Sequence, residues 1–238
     1  MKAFGDDVVL HDVDIQVRVG RILGVLGPGG GGKSLLLKML CGLIQPDEGT
    51  VHVFERDLAE LDTVEMANVR QGFGFLFQNY ALFDFMTVGG NVGFPLRQRG
   101  GLSEEEIRSR VRARLTQVDL PGCEHLYPNE LSGGMKKRVA LARATIAEAP
   151  YLIYDDPTAG LDPVTSSKIF QLIKDLHQPK GMAVVAGHDV DRMVNICDDW
   201  LLLYEGQVHF YGDTAAALAS EDPIVKTFFE ADSGVVRA

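Results

Sequence analysis

Cysteine is scarce in this sequence, and long apolar runs are missing from it. Three cysteines, Cys41, Cys123 and Cys197, stand apart, with no C-x-x-C pair and no histidine at metal-ligand spacing. We therefore expect buried free thiols in a reducing compartment rather than disulfides or a zinc site. No stretch of 18 apolar residues and no signal-peptide pattern occurs, which predicts a cytoplasmic protein. If this protein works at a membrane, another chain must provide the membrane-spanning segments.

The sequence also lacks a surplus of basic residues. Lysine and arginine total 23 against 33 aspartates and glutamates, a net charge of −10, and this balance disfavours a general nucleic-acid-binding protein. Phosphate ligands stay compatible with it, because a loop can bind phosphate through backbone N–H groups. With 238 residues, of which 46% are hydrophobic, the chain can bury a core as one large domain or two small ones.

Patterns typical of strands and helices alternate along most of the chain. The predicted strands are 8–10, 13–19, 21–26, 49–54, 73–77, 151–154, 182–186, 200–204 and 207–211. The predicted helices are 33–43, 103–119, 136–147, 168–177 and 190–197. Strands that alternate with helices predict an α/β fold with a mainly parallel sheet, and the last two strands predict a hairpin. The helical middle of the chain is predicted to be an insertion between two parts of that sheet.

A glycine-rich loop between a predicted strand and a predicted helix is the clearest chemical signal. Its residues are Gly27, Pro28, Gly29, Gly30, Gly31, Gly32, Lys33 and Ser34, which fit the pattern G-x-x-x-x-G-K-[ST]. Glycines let the backbone N–H groups curl around phosphates, and a helix N-terminus adds positive potential there. Lys33 is placed to reach the β- and γ-phosphates and Ser34 to reach Mg²⁺. A plain glycine-rich turn is the alternative, which the strand–helix context disfavours.

Two further patterns carry acidic or anion-binding groups. The apolar strand that begins at Tyr151 ends in Asp155, which is predicted to hold the Mg²⁺ shell through water, and Asp156 is predicted to lie near the water that attacks the γ-phosphate. Without the glycine-rich loop, two acidic turn residues would be the preferred interpretation. Ser132 is predicted to cap a helix, and the glycines that follow it make that helix start a second candidate anion site.

Together these motifs resemble the ATP-binding subunits of ABC transporters over nearly the whole chain. The segment Leu131–Met135 resembles the signature motif of that family, and Ala159–Asp162 resembles its D-loop. Gln78 is similar to the Q-loop glutamine, His188 to the switch histidine and Phe4 to the aromatic residue that stacks on adenine. Taken singly, Gln78 is typical of a surface amide, and His188 and Phe4 are typical of core residues.

The resemblance implies a Mg²⁺-dependent ATPase whose two copies sandwich two ATP molecules. It implies a single domain over 1–238 with a phosphate-loop NTPase core, an antiparallel portion, an inserted helical subdomain at 79–147 and a helical tail at 213–238. The implied catalytic residues are Asp156, His188 and Gln78. The implied metal-binding residues are Ser34, Gln78 and Asp155. The implied nucleotide-binding residues are Phe4, Gly27, Pro28, Gly29, Gly30, Gly31, Gly32, Lys33, Ser34, Ser132, Gly133, Gly134 and Asp162.

Within the family, several segments resemble the Mla-type ATPases, which power phospholipid transport with MCE proteins in Gram-negative envelopes. These segments are 75–83, 91–97, 154–165 and 222–229. The resemblance implies a peripheral protein on the cytoplasmic side of the inner membrane, with an integral membrane permease, a second copy of the chain and an MCE-type lipid-binding protein as partners, and no nucleic acid. The alternatives are an ATP-gated switch that hydrolyses little ATP, an ABC ATPase for another solute, and a soluble ABC protein acting on nucleic acid or in cluster assembly.

Two features depart from the family pattern. Asp156 stands where the family normally has glutamate, and the shorter side chain draws the carboxylate back from the attacking water. A misplacement of about 1 Å can lower a rate roughly 100-fold, so slow turnover is expected unless the backbone compensates. Phe4 lies so close to Met1 that the first strand is expected to be short or absent, with a less complete adenine side or a misassigned start.

Overall fold

A six-stranded sheet lies at the centre of the molecule, which the computed structural model describes over residues 1–230. The strands are β1 (Lys2–Phe4), β2 (Asp7–Leu10), β3 (Ile22–Leu26), β4 (His52–Val53), β5 (Arg56–Asp57), β6 (Phe73–Leu76), β7 (Tyr151–Asp155), β8 (Met182–Ala186), β9 (Asp199–Tyr204) and β10 (Gln207–Asp213). In the large sheet the order is β10-β9-β3-β8-β7-β6. Every neighbouring pair is parallel except β9 with β10. The predicted α/β fold with a mainly parallel sheet is confirmed.

Helices cover both faces of this sheet. They are α1 (Lys33–Leu40), α2 (Thr63–Gln71), α3 (Val88–Arg99), α4 (Glu104–Gln117), α5 (Gly133–Thr145), α6 (Pro163–Leu176), α7 (Val190–Met193), α8 (Thr214–Leu218) and α9 (Pro223–Glu230). Because side chains alternate along a strand, Ile22 and Leu26 pack with α5 and α6, whereas Leu23 and Val25 pack with α1. The loop that joins β3 to α1 therefore lies at the carboxyl edge of a sheet buried on both faces, where ligands bind in open α/β sheets.

The predicted strand at 13–19 is wrong. Val13, Ile15 and Val17 are half buried and pack against the apolar cluster beneath α1, which explains their period of two. The segment has no ladder of hydrogen bonds to a neighbouring strand and is irregular. Alternation reports which side chains are buried, whereas a strand also requires a paired backbone.

Several other predicted elements are shorter in the structure, two of them by four residues. The strand predicted at 49–54 is reduced to β4, because Phe54 and Glu55 turn the chain back with φ of 50° and 62° and start the hairpin partner β5. The helix predicted at 190–197 ends with α7, beyond which the Asn195 and Ile196 N–H groups donate to carbonyls three residues back and the regular spacing of four is interrupted. In contrast, α6 begins at Pro163, before the start predicted at residue 168. Asp162 caps the helix and Pro163 occupies its first position.

The helical insertion contains α3, α4 and α5, which lie between β6 and β7 in the chain. Ser103 and Glu106 form a capping box at the start of α4, and the buried side chains of all three helices join the larger core cluster. Near the C-terminus, Phe229 of α9 packs edge-on against Trp200 at 4.9 Å between ring centroids. Part of the predicted tail, 231–238, lies outside the described residues. Within residues 1–230, no helix is long and apolar enough to cross a membrane.

Candidate functional site

The glycine-rich loop holds a shape that larger residues would not allow. Gly27 and Gly32 have φ of 150° and 88°. A Cβ atom at Gly27 would lie 2.4 Å from the Leu203 carbonyl oxygen, and one at Gly32 would lie 2.6 Å from Leu10. A Cβ atom at Gly29 would meet no described heavy atom within 4 Å. The loop is therefore packed tightly at its two ends and open at its centre, as a cradle for phosphate requires.

The start of α1 provides the positive charge of this cradle. No side chain caps the helix and no acidic residue lies in its first turn, so its first N–H groups and the helix dipole favour an anion. The Lys33 Nζ atom donates to the carbonyl oxygens of Gly27 at 2.8 Å and Pro28 at 2.9 Å. Burial lowers the pKa of Lys33, and the nearby carboxylates of Asp156 and Asp155 oppose that change.

Ser34 and Asp155 form a pair that fits Mg²⁺. The Ser34 hydroxyl donates to Asp155 Oδ1 at 2.8 Å. Asp155 is buried at the end of β7, and this burial raises its pKa, while the Ser34 hydrogen bond and nearby lysines oppose the shift. Mg²⁺ prefers oxygen ligands and is usually held by one or two protein groups together with phosphates and waters. A hydroxyl and a carboxylate beside a phosphate cradle match that preference.

Asp156 has a left-handed backbone conformation and lies next to His188. Its φ is 47°, a value that glycine adopts routinely and aspartate occasionally. Its N–H group donates to the Ala186 carbonyl oxygen at 2.9 Å. Its Oδ1 atom lies 3.4 Å from His188 Nδ1 without hydrogen-bond alignment, and that buried oxygen has no hydrogen-bond partner among the described residues. The structure therefore brings Asp156 beside His188 at the end of β7, and a role for its carboxylate as proton acceptor stays a prediction.

Gln78 reaches the same edge of the sheet from the neighbouring strand. It is the second residue after β6, which pairs with β7 in parallel register, and Asp156 is the first residue after β7. The Gln78 side chain is exposed, whereas its backbone carbonyl is held in the interior by a lysine. The structure therefore brings Gln78 to the same edge of the sheet as Asp156, and its role toward Mg²⁺ or water stays a prediction.

That lysine, Lys137, was missed by the sequence analysis. It lies in α5 with no exposed surface, and its Nζ atom donates to the carbonyl oxygens of Gln78 at 2.7 Å and Asp156 at 3.0 Å. Burial lowers the pKa of Lys137 to about 8, although Asp156 and Asp155 favour its charged form. The sequence contains one signal of its burial, which is helical spacing, because Lys137 shares a face with the buried Leu141; that spacing contains no information about the carbonyl groups it binds.

The predicted second anion site lies at the start of α5. Ser132 caps this helix by accepting from the Met135 N–H group at 3.3 Å, and Ser132 and Gly133 are exposed. A Cβ atom at Gly134 would lie 2.9 Å from Thr165 of α6, so the glycine allows the two helices to approach closely. All the hydrogen bonds described for the Ser132 side chain stay within its own helix, and binding of a second chain's nucleotide here stays a prediction.

Asp162, predicted to contact nucleotide, has a structural role in this chain. Its carboxylate accepts from the Val164 and Thr165 N–H groups and from the Thr165 hydroxyl at 2.6 Å. The Thr165 hydrogen bonds are the main reason that the pKa of Asp162 is lowered. Asp162 thus fixes the start of α6, and its exposed position leaves contact with a second chain as a prediction.

Phe4 lies on a hairpin that touches the glycine-rich loop. It ends the short strand β1, which pairs with β2, and Leu10 of β2 packs against Gly32. Phe4 is 56% exposed, and the Lys2 Nζ atom lies over its ring, 5.7 Å from the centroid, so stacking of the ring on adenine stays a prediction. Asp47 ties β1 down by accepting from Lys2 at 2.7 Å and from the Ala3 N–H group at 2.8 Å.

Comparison with known proteins agrees with this geometry. The ABC transporter family profile matches residues 10–159, more than half of the chain. The chain belongs to the ABC transporter family. Over 245 aligned residues it is 40% identical to protein TRIGALACTOSYLDIACYLGLYCEROL 3, chloroplastic, of Arabidopsis thaliana, covering 95% of this chain and 70% of that protein.

Bacterial relatives extend the comparison. The chain is 36% identical to the intermembrane phospholipid transport system ATP-binding protein MlaF of Haemophilus influenzae, covering 98% of this chain and 89% of that protein. It is also 36% identical to the probable ribonucleotide transport ATP-binding protein mkl of Mycobacterium leprae, covering 95% of this chain and 66% of that protein. The predicted likeness of this ABC ATPase subunit to the Mla-type proteins is confirmed.

A solved structure supports both fold and chemistry. The ABC cassette MJ0796, in a dimeric post-hydrolysis state bound to ADP and Pi, superposes on this ABC protein with a TM-score of 0.80 and 34% identity, covering 87% of this chain and 90% of that one. The predicted phosphate-loop NTPase fold is confirmed. The activity of this ABC subunit is ATP hydrolysis coupled to transport.

Proposed function

We propose that this ABC ATPase powers phospholipid transport, as a peripheral subunit on the cytoplasmic face of the inner membrane of a Gram-negative bacterium. The observation that carries the proposal is its likeness to MlaF along 98% of its own length and 89% of that protein's. An integral membrane permease would supply the span, and an MCE-type lipid-binding protein would belong to the same complex. We propose that nucleic acid is not a partner, in keeping with the net charge of −10.

Reconstitution tests the cargo. The chain would be copurified with its membrane partners and placed in liposomes, and ATP-dependent transfer of fluorescent phospholipid would be compared with uptake of ribonucleotides. We expect ATP-dependent transfer of phospholipid and no ATP-dependent uptake of ribonucleotides. Ribonucleotide uptake, the activity named for the mycobacterial relative, would instead assign this ATPase to the alternative with another solute.

In the proposed mechanism, two copies of the chain enclose two ATP molecules. The 27–34 loop of one copy binds the phosphates through its N–H groups and Lys33, and Ser132, Gly133 and Gly134 of the other copy cover the γ-phosphate, with Asp162 near the junction. Ser34 and Asp155, with Gln78, would hold Mg²⁺, which neutralises charge on the phosphates. Asp156 accepts the proton of the attacking water, and His188 stabilises charge on the γ-phosphate. Hydrolysis then reopens the pair.

Phe4 provides a test of the adenine side. We expect Phe4→Ala to raise the Kd for ATP about fivefold, because loss of ring stacking removes about 1 kcal/mol of binding. Phe4→Trp should bind ATP as well as the wild type. The measurement is calorimetric titration with ATP and, as a control, with inorganic tripolyphosphate, which has no base. Equal weakening toward both ligands would show that Phe4 acts through the fold of its hairpin.

The permease is proposed to dock on the segment 83–97. Phe83 packs against Phe85 and Phe94 at centroid distances of 5.7 Å and 5.1 Å, and the Phe85 side chain is 76% exposed. Buried Asn91 fixes this segment, since its Oδ1 accepts from the Phe83 N–H group at 2.8 Å and its Nδ2 donates to the carbonyl oxygens of Phe83 and Met86. An exposed aromatic ring on an ordered segment is typical of an interface residue.

Phe85→Glu is expected to reduce recruitment of the chain to membranes that contain the permease about tenfold or more, because a charge replaces the central apolar contact. ATP affinity should be unchanged. The matched control is Val64→Glu, which places the same charge at a residue that is also exposed (68%) but lies on α2. The measurement is cosedimentation with membranes. Equal recruitment of both variants would refute this docking site.

A further inference from the structure

One buried lysine joins the two loops of the hydrolytic site. Lys137 donates to the backbone carbonyl oxygens of Gln78 and Asp156, at 2.7 Å and 3.0 Å. Gln78 follows β6 and Asp156 follows β7, so a single ammonium group fixes the spacing of the segments that carry two proposed catalytic residues. The lysine itself belongs to a third element, α5, whose first residues are the proposed contacts for the partner copy's ATP.

Burying a lysine at this position costs free energy. Burial disfavours its charge, and the compensation comes from two hydrogen bonds, from the Tyr80 ring at 4.9 Å, and from the nearby carboxylates of Asp155 and Asp156. An apolar side chain at this position alone would avoid the desolvation cost but would take the donor away from two backbone carbonyl oxygens, which is also costly. Lys137 therefore contributes to stability and also fixes the position of both carbonyl groups.

The backbone of Asp156 is one of the two groups that Lys137 holds in position. Its left-handed conformation is one that aspartate adopts less readily than glycine, and backbone hydrogen bonds help to hold it. There are three of these bonds, since the Asp156 N–H group donates to the Ala186 carbonyl, and the Asp156 carbonyl accepts from Lys137 and from the Ala159 N–H group. The direction in which the carboxylate leaves the backbone depends on them. Loss of the Lys137 bond removes one of the three restraints and the one that comes from α5.

Helix α5 also holds the rest of the loop that starts at Gln78. Arg143 donates to the carbonyl oxygens of Tyr80 at 2.8 Å and Ala81 at 2.7 Å, and both of those residues have positive φ. Two buried cations on one helix thus fasten residues 78–81. Of these two cations, Lys137 is the one that also binds the Asp156 carbonyl.

We propose that Lys137 is a positioning residue that makes α5, the Gln78 loop and the Asp156 loop move as one unit. In the proposed dimer, contact between the start of α5 and the partner's ATP then sets the position of Asp156 toward the ATP of its own chain. This inference rests on the proposed function, because it assumes the two-chain ATP sandwich. It assigns Lys137 no contact with the reacting atoms.

The test compares Lys137→Met with Lys137→Arg, which keeps the charge and the donors, and with Lys174→Met as a control at an exposed lysine of α6. Each purified variant is assayed for kcat and KM with Mg²⁺ and ATP, and for ATP-binding stoichiometry, which counts the folded sites. We expect Lys137→Met to lower kcat at least about tenfold, since a small misplacement of reacting groups is costly, with KM changed less than about twofold. Lys137→Arg should recover part of kcat, and Lys174→Met should match the wild type.

Hydrogen exchange supplies a readout that does not depend on turnover. In Lys137→Met, exchange should become faster at residues 78–81 and 156–161 together. Wild-type kcat per ATP-binding site would overturn the proposal and leave Lys137 a structural role, and so would faster exchange in only one of the two segments. A wild-type chain that binds ATP without hydrolysing it would contradict the proposed motor function, while the exchange data would still decide whether Lys137 links the loops.

Discussion

Lys33→Ala is expected to lower kcat for ATP hydrolysis between about a hundredfold and a thousandfold, the usual effect of removing one group that stabilises transition-state charge. Lys33 is the one cationic residue of the 27–34 loop, and its Nζ atom lies within 2.9 Å of two loop carbonyl groups. On binding ATP, the ammonium would exchange these carbonyls for phosphate oxygens. The measurement is phosphate release by the purified chain at saturating Mg²⁺ and ATP.

Lys174→Ala is the control for this prediction, because Lys174 is exposed on α6 and bonds only to the Asn195 carbonyl among its described hydrogen bonds. It should leave kcat unchanged. Turnover by Lys33→Ala within about tenfold of the wild-type value would contradict a catalytic role for the loop lysine. A wild-type activity that the membrane partner increases, and that Lys33→Ala abolishes, would establish a transport motor.

Asp156→Asn is expected to lower kcat about a hundredfold or more, since it removes the proposed acceptor for the proton of the attacking water. Asp156→Glu is expected to do the opposite and raise kcat by up to about a hundredfold, because one more methylene carries the carboxylate toward the water. Asp156 Oδ1 has no hydrogen bond to break among the described residues. Both variants are measured by phosphate release, with ATP affinity measured in parallel to confirm an intact binding site.

The pair of Asp156 variants separates a motor from an ATP-gated switch. A wild-type chain that binds ATP and dimerises without turnover, and that gains turnover from Asp156→Glu, would be a switch. Wild-type activity retained in Asp156→Asn would show that another group accepts the proton. A decrease of kcat in Asp156→Glu would mean that the left-handed backbone at this residue already compensates for the shorter side chain.

The parts of the fold that the sequence predicted well are those in which burial and backbone pairing coincide. The strand predicted at 182–186 has the bounds of β8, because a short apolar run inside a parallel sheet is buried on both faces and paired on both edges. At 13–19 side chains are partly buried without backbone pairing. Val13 and Ile15 are half buried, but the backbone between them has no partner strand, and local periodicity contains no information about that.

The candidate site likewise has one part that the sequence predicts and one that it does not. The loop at 27–34 could be predicted because its chemistry lies in consecutive residues. Lys137 could not, since its role depends on carbonyl groups 59 and 19 residues away in the chain. Sequence shows only a lysine on the apolar face of a helix, which is equally consistent with a side chain that extends to the surface. Its function becomes visible once β6, β7 and α5 are packed together.

The hydrogen bonds of the Asn91 side chain affect how quickly and how strongly a partner can bind. The amide of this one side chain holds the backbone of Phe83 and Met86, so the segment that presents Phe85 is ordered before any partner arrives. The entropy of ordering that segment is lost during folding and not again on association. Contacts made there contribute fully to affinity, and encounter does not have to wait for a rearrangement of the segment. Such a surface suits a subunit whose partner must respond within each cycle of ATP hydrolysis.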